Sequence, residues 1–233
     1  IKIKIDGKKL APSKSVKYLG ILIDSHLNWK AQETAISSRL SRALGMLSKI
    51  RHFVKQETLF MIYYGIFSSI LMYGSQIWGQ NNSVVKRLQI LQNKALRIIN
   101  FQPSRTSATP LFKKCNILKL ADNINLQKFL FAHDSLNNNL PSSLHGQLIL
   151  VDSIHNTRNE AYSQLNRPRT KTILYGSKSI KSRSVDIWNY NNKHSNHEKL
   201  LEKSRSICKK IVTKFLIDRY EGTGGDFVVE IIF

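Results

Sequence analysis

Residues 16–50 read VKYLGILIDSHLNWKAQETAISSRLSRALGMLSKI, and the hydrophobic period changes inside them. Val16–Ile23 reads as a strand. From Thr34 onward the spacing becomes helical. Ile36, Leu40, Ala43, Leu44, Leu47, Ile50 and Val54 fall on one face, and Arg39, Arg42, Lys49 and Arg51 lie largely off it. Upstream, Ile1, Ile3 and Ile5 alternate with Lys2 and Lys4, a strand with one wet face. Asp6-Gly7 follows, a favoured hairpin pair. Downstream the patterns are helical. The expected fold is mainly α with a small N-terminal β-hairpin.

Residues 57–79 predict a second helix, apolar on nearly every side, and no charge occurs from Thr58 to Val85. By length such a segment could span a bilayer. Its Ser, Gly, Gln and Tyr content favours a buried central helix instead. Ser83 suits the cap of a third helix running to about Asn100. Val84, Leu88, Leu91, Ala95, Ile98 and Ile99 share one arc of it. Lys86, Arg87, Lys94 and Arg97 occupy the opposite arc, interrupted by Ile90 and balanced by no acidic residue. Pro110 predicts a short helix start. Further helices are expected at Leu120–Leu136, at Ser177–Asn189 and at about Glu198–Tyr220, with a basic loop over Asn156–Thr172. The last helix sets Leu200, Ile207, Cys208, Ile211, Val212 and Phe215 inward and carries Lys199, Lys203, Lys210 and Lys214 in one arc.

The chain has 233 residues and is 42% apolar, enough for a core in one large domain or two small ones. Its 36 Lys+Arg against 15 Asp+Glu give a formal charge of +21. That excess points to a polyanionic partner, nucleic acid before anionic membrane. The charge is uneven. Residues 35–120 hold 13 basic residues and one acidic, Glu57, and residues 151–220 hold 15 basic and 6 acidic. Residues 121–150 are near neutral, and 221–233 carry only acidic charge. Asn137–Asn139 and Pro141–Ser143 suggest a joint between the two basic blocks. Only Cys115 and Cys208 are present, which suits a reducing, intracellular compartment, nuclear and cytoplasmic. The sequence begins at Ile1 rather than Met, as a fragment would.

Several chemistries lack their residues. There is no GxSxG, no P-loop and no GxGxxG. Gly222–Gly225 is followed by no Lys-Ser/Thr and reads as tail. His194, His197 and Cys208 are too loosely spaced for a zinc site, and His155 reads as a loop residue. Two-metal nucleotidyl transfer needs closely set carboxylates. No Asp-Asp pair occurs, and the first 120 residues offer only Asp6, Asp24, Glu33 and Glu57. The chain alone is expected to bind no cofactor and to be inactive as a polymerase.

Certain marks occur in a fixed order. Lys17-Tyr18-Leu19-Gly20-Ile21-Leu22-Ile23-Asp24, with Leu27-Asn28-Trp29, resembles the KYLG…D…L-x-W stretch of non-LTR (LINE-type, jockey-like) retrotransposon reverse transcriptases. Leu71-Met72-Tyr73-Gly74 with Ile77-Trp78-Gly79 resembles that family's L-x-Y-G-x-x-x-W-G. Leu88-Gln89 through Ile99 resembles its L-Q-x-x-x-L-Q-x-K-A-x-R-x-I helix. Thr157-Arg158, Pro168-Arg169-Thr170 and Trp188-Asn189 follow the order of its TR, PRT and WN marks, and Phe215 to Tyr220 resembles its closing helix. The chain departs from the family at Tyr190-Asn191, where Leu-Pro is usual, and in residues 221–233.

The resemblance implies a role for each region. Residues 1–30 would be the end of the palm, with Lys17, Tyr18, Leu19 and Gly20 at the primer grip; ordinary strand core is the alternative for Tyr18 and Leu19. Residues 31–136 would be a thumb-like helical bundle whose Arg39, Arg42, Lys86, Arg87, Lys94 and Arg97 track phosphates. Residues 137–220 would be a basic C-terminal helical domain, with Arg158, Arg167, Arg169 and Lys171 on RNA or target DNA. Residues 221–233 would be a divergent acidic tail. The implied partners are an RNA template, an RNA–DNA or DNA duplex, and the missing palm and fingers. Mg²⁺ and deoxynucleotides would serve the intact enzyme. The alternatives are a degenerate or host-retained fragment that binds nucleic acid nonspecifically, and a membrane-associated helical protein anchored by 58–79.

Overall fold

The computed structural model describes residues 4–6, 8–9, 11, 13–151, 164–194 and 200–221. His155, Thr157, Arg158, His197, Lys199 and the 222–233 tail lie outside the described residues. The fold is mostly helical with small hairpins at the N-terminus, as the periodicity predicts.

Strands β1 (Lys4–Ile5) and β2 (Lys8–Lys9) pair antiparallel, with Ile5 opposite Lys8. The strand expected over Val16–Ile23 is two strands, β3 (Ser15–Tyr18) and β4 (Ile21–Asp24). The reason is local. Leu19 and Gly20 adopt φ of 45° and 81°, the left-handed pair that closes a two-residue hairpin. Gly20 does so freely, whereas Leu19 stores about 1 kcal/mol of strain.

Asp24 turns the hairpin into the first helix. Its carboxylate accepts the backbone N–H groups of His26, Asn28 and Trp29 at 3.1, 3.0 and 2.7 Å. Those bonds hold Leu27 and Trp29 at positive φ. Helix α1 (Lys30–Ile50) follows and buries Ile36, Leu40, Ala43, Leu44 and Leu47, the predicted face.

The segment expected as one helix over 57–79 is interrupted. Helix α2 (Gln56–Ile62) passes through a π-wound stretch (Tyr63–Ser68) into α3 (Ser69–Met72). Tyr73 is then extended, Gly74 sits at φ 62°, and the short α4 (Ser75–Trp78) begins. Gly74 is doubly required. A Cβ there would stand 2.5 Å from Ile21 Cδ1 of β4, besides the strain of the left-handed backbone. The fully buried Trp78 donates its indole N–H to the Tyr73 carbonyl at 2.9 Å. Among the described residues no helix is long and apolar enough to cross a membrane.

Helix α5 (Asn82–Ile99) is capped by Asn81 rather than by Ser83; the Asn81 side chain accepts the Ser83 N–H at 3.0 Å. Helix α6 (Thr109–Lys114) has Pro110 in its first turn, as expected. Helix α7 spans Leu120–Leu136. Helix α8 (Ile180–His194) runs beyond Trp188, because Tyr190-Asn191 contains no proline to stop it. The helix expected from Glu198 becomes a single 3₁₀ turn (Leu200–Glu202) and then α9 (Arg205–Asp218).

One apolar cluster joins α1, α2, α3, α5 and α6 around Leu40, Leu47, Phe67, Trp78, Leu88 and Leu96. A second joins α7, α8 and α9, where Phe129 stacks on Trp188 at 5.0 Å. Helix α7 serves both: Leu120 and Ile124 belong to the first cluster, Leu126, Phe129 and Leu130 to the second. Each such side chain contributes roughly 1.5–3 kcal/mol by leaving water. Beyond the end of α9, the Tyr220 hydroxyl donates to Asp122 at 2.6 Å and accepts the Lys119 N–H at 2.9 Å, so the C-terminal helix is tied to the start of α7.

Candidate nucleic-acid interface

The β3–β4 hairpin presents apolar groups to solvent. Val16, Tyr18 and Leu19 are 55%, 64% and 72% exposed, so none of them is strand core within this chain. Lys17 is exposed beside them. Only β4 packs inward, through Ile21. The turn itself is held from behind. The Tyr73 hydroxyl donates to the Leu19 carbonyl, and a Cβ on Gly20 would meet Tyr73 Cε1 at 3.4 Å. The KYLG and LMYG marks therefore touch each other.

The cations of α1 and α5 differ in their surroundings. Arg39, Arg42, Lys86 and Lys94 are exposed and make no ion pair among the described residues. Arg87 is different. Its Nη1 donates to both oxygens of Glu33 at 3.1 and 3.2 Å. The expectation that no acidic residue balances this arc fails here, because α1 brings Glu33 against α5 from 54 positions away. Arg97 is half-buried and donates from Nε to the Thr106 carbonyl at 2.7 Å.

In the C-terminal block, Arg167 pairs with Asp186 of α8, Nε to Oδ1 at 3.0 Å, while its side chain stays 61% exposed. Arg169 and Lys171 are exposed, and Arg158 lies outside the described residues. The Trp188-Asn189 mark is architectural. Trp188 is fully buried, and the Asn189 amide grips the backbone of Leu165, accepting its N–H at 2.8 Å and donating to its carbonyl at 2.9 Å.

Between α5, α7 and α8 lies a cleft of about 630 Å³. Lys86, Ile90 and Arg97 line it from α5, Asn125 and Lys128 from α7, Arg183 from α8. Ile90, which interrupts the basic arc in sequence, is here 54% exposed at the cleft wall. Lys128 escapes a reading based on basic arcs. Its one sequence signal is that it is the lone basic residue of 121–150, next to the core residues Phe129 and Leu130. It is 4% exposed. Burial pushes its ammonium down to about 8, and Arg183 adds to the effect.

Metal chemistry finds little footing. Among the described residues no three His, Cys, Asp or Glu side chains come together, so these residues offer no set to clamp Mg²⁺. Cys208 is buried and donates to the Leu200 carbonyl at 3.1 Å, and burial raises its thiol pKa. It acts as a core residue.

Two curated proteins of Drosophila melanogaster are similar to this chain. One is named probable RNA-directed DNA polymerase from transposon BS; it is 29% identical over 126 residues, 52% of this chain and 14% of that protein. The other is named probable RNA-directed DNA polymerase from transposon X-element; it is 31% identical over 137 residues, 56% of this chain and 15% of that protein. The matched stretch is thus about one seventh of either relative. No family profile and no solved structure matches the chain. The similarity supports a relationship to the reverse transcriptases of non-LTR transposons.

Proposed function

We propose that this chain is the template–primer-binding portion of an RNA-directed DNA polymerase from a non-LTR retrotransposon: the end of the palm, a thumb and a basic C-terminal domain. The observation that carries the reading is the set of exposed cations without ion pairs among the described residues, Arg39 and Arg42 on α1 and Lys86 and Lys94 on α5. Solvated helices usually carry Glu partners near their cations. Cations left free on neighbouring helices suit a ligand that brings its own negative charge. Phosphate contacts carry no base readout, as an enzyme that copies any template requires. The hairpin supports the same reading. Tyr18 and Leu19 stand exposed on a strained turn braced by Tyr73, a shape suited to a primer terminus or to the adjoining palm. Catalytic carboxylates and Mg²⁺ would be supplied by another part of the polymerase.

Titration of an RNA–DNA hybrid at several salt concentrations tests this. The logarithm of the affinity should fall linearly with the logarithm of salt concentration, with a slope set by the phosphates neutralised. Replacing Arg39, Arg42 and Lys94 together by Ala should make that slope shallower by about two to three. Hybrid binding unchanged in the triple variant rejects the thumb assignment. Binding that ignores salt rejects phosphate recognition altogether.

A further inference from the structure

The turn after α1 and the residues after α5 put two aromatic rings at the surface. Phe53 is 86% exposed and Phe101 is 48% exposed. Neither ring belongs to an apolar cluster of the core. Phe101 also holds φ at 55°, a left-handed backbone that a bulky residue rarely adopts. Arg51 links the two segments. It lies two positions before Phe53, and its guanidinium carbon stands 5.9 Å from the centroid of the Phe101 ring. The segments are also locked together by hydrogen bonds. Gln56, at the start of α2, donates from Nε2 to the Ile99 carbonyl at 3.2 Å and to Asn100 Oδ1 at 3.3 Å. Asn100 is itself buried and donates to the Leu96 carbonyl at 2.9 Å.

The charge around these rings selects the kind of partner. Residues 49–57 hold Lys49, Arg51 and Lys55 against Glu57 alone. Lys49 and Lys55 are exposed and make no ion pair among the described residues. Protein interfaces are depleted in Lys, whereas proteins that hold single strands combine aromatic rings with cations that follow the backbone. Position argues the same way. Lys49 lies two turns beyond Arg42 on the same exposed face of α1, about 10 Å along the helix axis. A strand that leaves the Arg39 and Arg42 surface toward the C-terminal end of α1 therefore meets Lys49 and runs on to the turn that carries Phe53.

We propose that this corner is a stacking platform for an unpaired nucleic-acid strand, with bases on Phe53 and Phe101 and phosphates on Lys49 and Lys55. That the ligand is nucleic acid rests on the proposed function. That it is a single strand rests on the rings, because bases inside a duplex stack on one another and offer no free face. Arg51 is a positioning residue. Its Nε donates to His52 Nε2 at 3.1 Å while the guanidinium lies against the Phe101 ring, so it holds the ring in place. Stacking tolerates any sequence, since every base has a π-face.

Fluorescence anisotropy on the full chain tests this with two probes, a labelled oligouridylate and a blunt-ended RNA–DNA hybrid. Phe53→Ala and Phe101→Asn, the latter suited to a left-handed backbone, should each weaken the oligouridylate by about five- to tenfold and leave the hybrid unchanged. Phe53→Trp should retain binding, with the added indole fluorescence quenched by the stacked base. Phe53→Leu should lose binding as Phe53→Ala does. Wild-type affinity for the oligouridylate in the Phe53→Ala and Phe101→Asn double variant overturns the proposal, as does a wild-type protein that does not bind it. Full binding by Phe53→Leu overturns base stacking in favour of a plain apolar contact, the kind a protein partner makes. Equal weakening of both probes overturns the single-strand assignment. Hybrid binding that survives the loss of Arg39, Arg42 and Lys94 rejects the thumb assignment alone; an oligouridylate affinity that still depends on the two rings sustains the platform.

Discussion

The Tyr73 hydroxyl donates a hydrogen bond to the Leu19 carbonyl oxygen at 2.5 Å, across 54 positions of sequence. It joins the tip of the β3–β4 hairpin to the residue that ends the rod formed by α2 and α3. Because Tyr73 is 53% exposed, water can take over part of this bond. Tyr73→Phe should cost about 0.5–1 kcal/mol in urea denaturation. Its larger effect should be local, as faster amide hydrogen exchange in β3 and β4. Unchanged exchange there would show that the hairpin holds itself.

Gly74 and Gly45 should respond in opposite directions to the same substitution. Gly74→Ala places a methyl 2.5 Å from Ile21 Cδ1 on a left-handed backbone and should cost about 2–4 kcal/mol. Gly45 lies exposed within α1 with nothing near its added Cβ, so Gly45→Ala should stabilise by about 0.5–1 kcal/mol. Paired denaturation curves measure both.

Asp24 should make the hairpin-to-helix junction acid-sensitive. Partial burial raises its pKa, but the backbone N–H groups of Asn28, Trp29 and His26 outweigh that and hold the carboxyl below its ordinary 3.8. A depressed folded pKa means stability that is present above about pH 3.8 and lost as pH falls through the folded value. Asp24→Ala should cost about 2 kcal/mol at neutral pH and flatten the acid limb of a stability–pH curve. A variant as acid-labile as wild type would show that other carboxylates govern that limb.

Arg87 and Lys94 have equal standing in the sequence and should separate in experiment. Arg87→Ala strands the nearly buried Glu33 and should cost about 1 kcal/mol of stability, reduced by the exposure of the guanidinium. Lys94→Ala should leave the melting temperature unchanged and weaken hybrid binding. Equal stability of the two variants would mean that the Glu33 pair is dispensable.

Lys128 should make stability rise with alkaline pH. Its folded pKa of about 8 lies below the unfolded 10.5, so the unfolded chain holds more protons between those values and stability increases across the window. The gain is at most on the order of 3 kcal/mol. Lys86 and Arg97 from α5, Lys119 and Asp122 at the start of α7, and Arg183 and Asp186 from α8 share the cleft and shape the curve. Burial keeps Tyr63 protonated to about 12, which acts with the opposite sign above its ordinary 10.0 and bounds the useful range. Lys128→Met should lose the slope and be more stable than wild type at pH 7. A slope that persists in the variant would assign it to the general fall in net charge.

The sequence by itself determined the element types. The buried face of α1 is the one its 3.6-residue period predicts, that of α5 shares Val84, Leu88, Ala95 and Ile99 with the predicted arc but is turned toward Val85, Gln92 and Leu96, and Pro110 lies in the first turn of its helix as expected. Such features depend on residues within a turn of one another, which is what periodicity reads. Tertiary structure alone decided the rest. The break at Gly74 follows from the position of Ile21, the loss of Arg87 as a free cation from Glu33, and the isolation of Lys128 from the cleft wall that α8 supplies. Steric exclusion, ion pairing and desolvation depend on which groups are brought together across 50 or more positions, as for Arg87 and Glu33 at a separation of 54. A count of basic residues can locate the charge along the chain; only the packed helices determine which cations have partners and which await one.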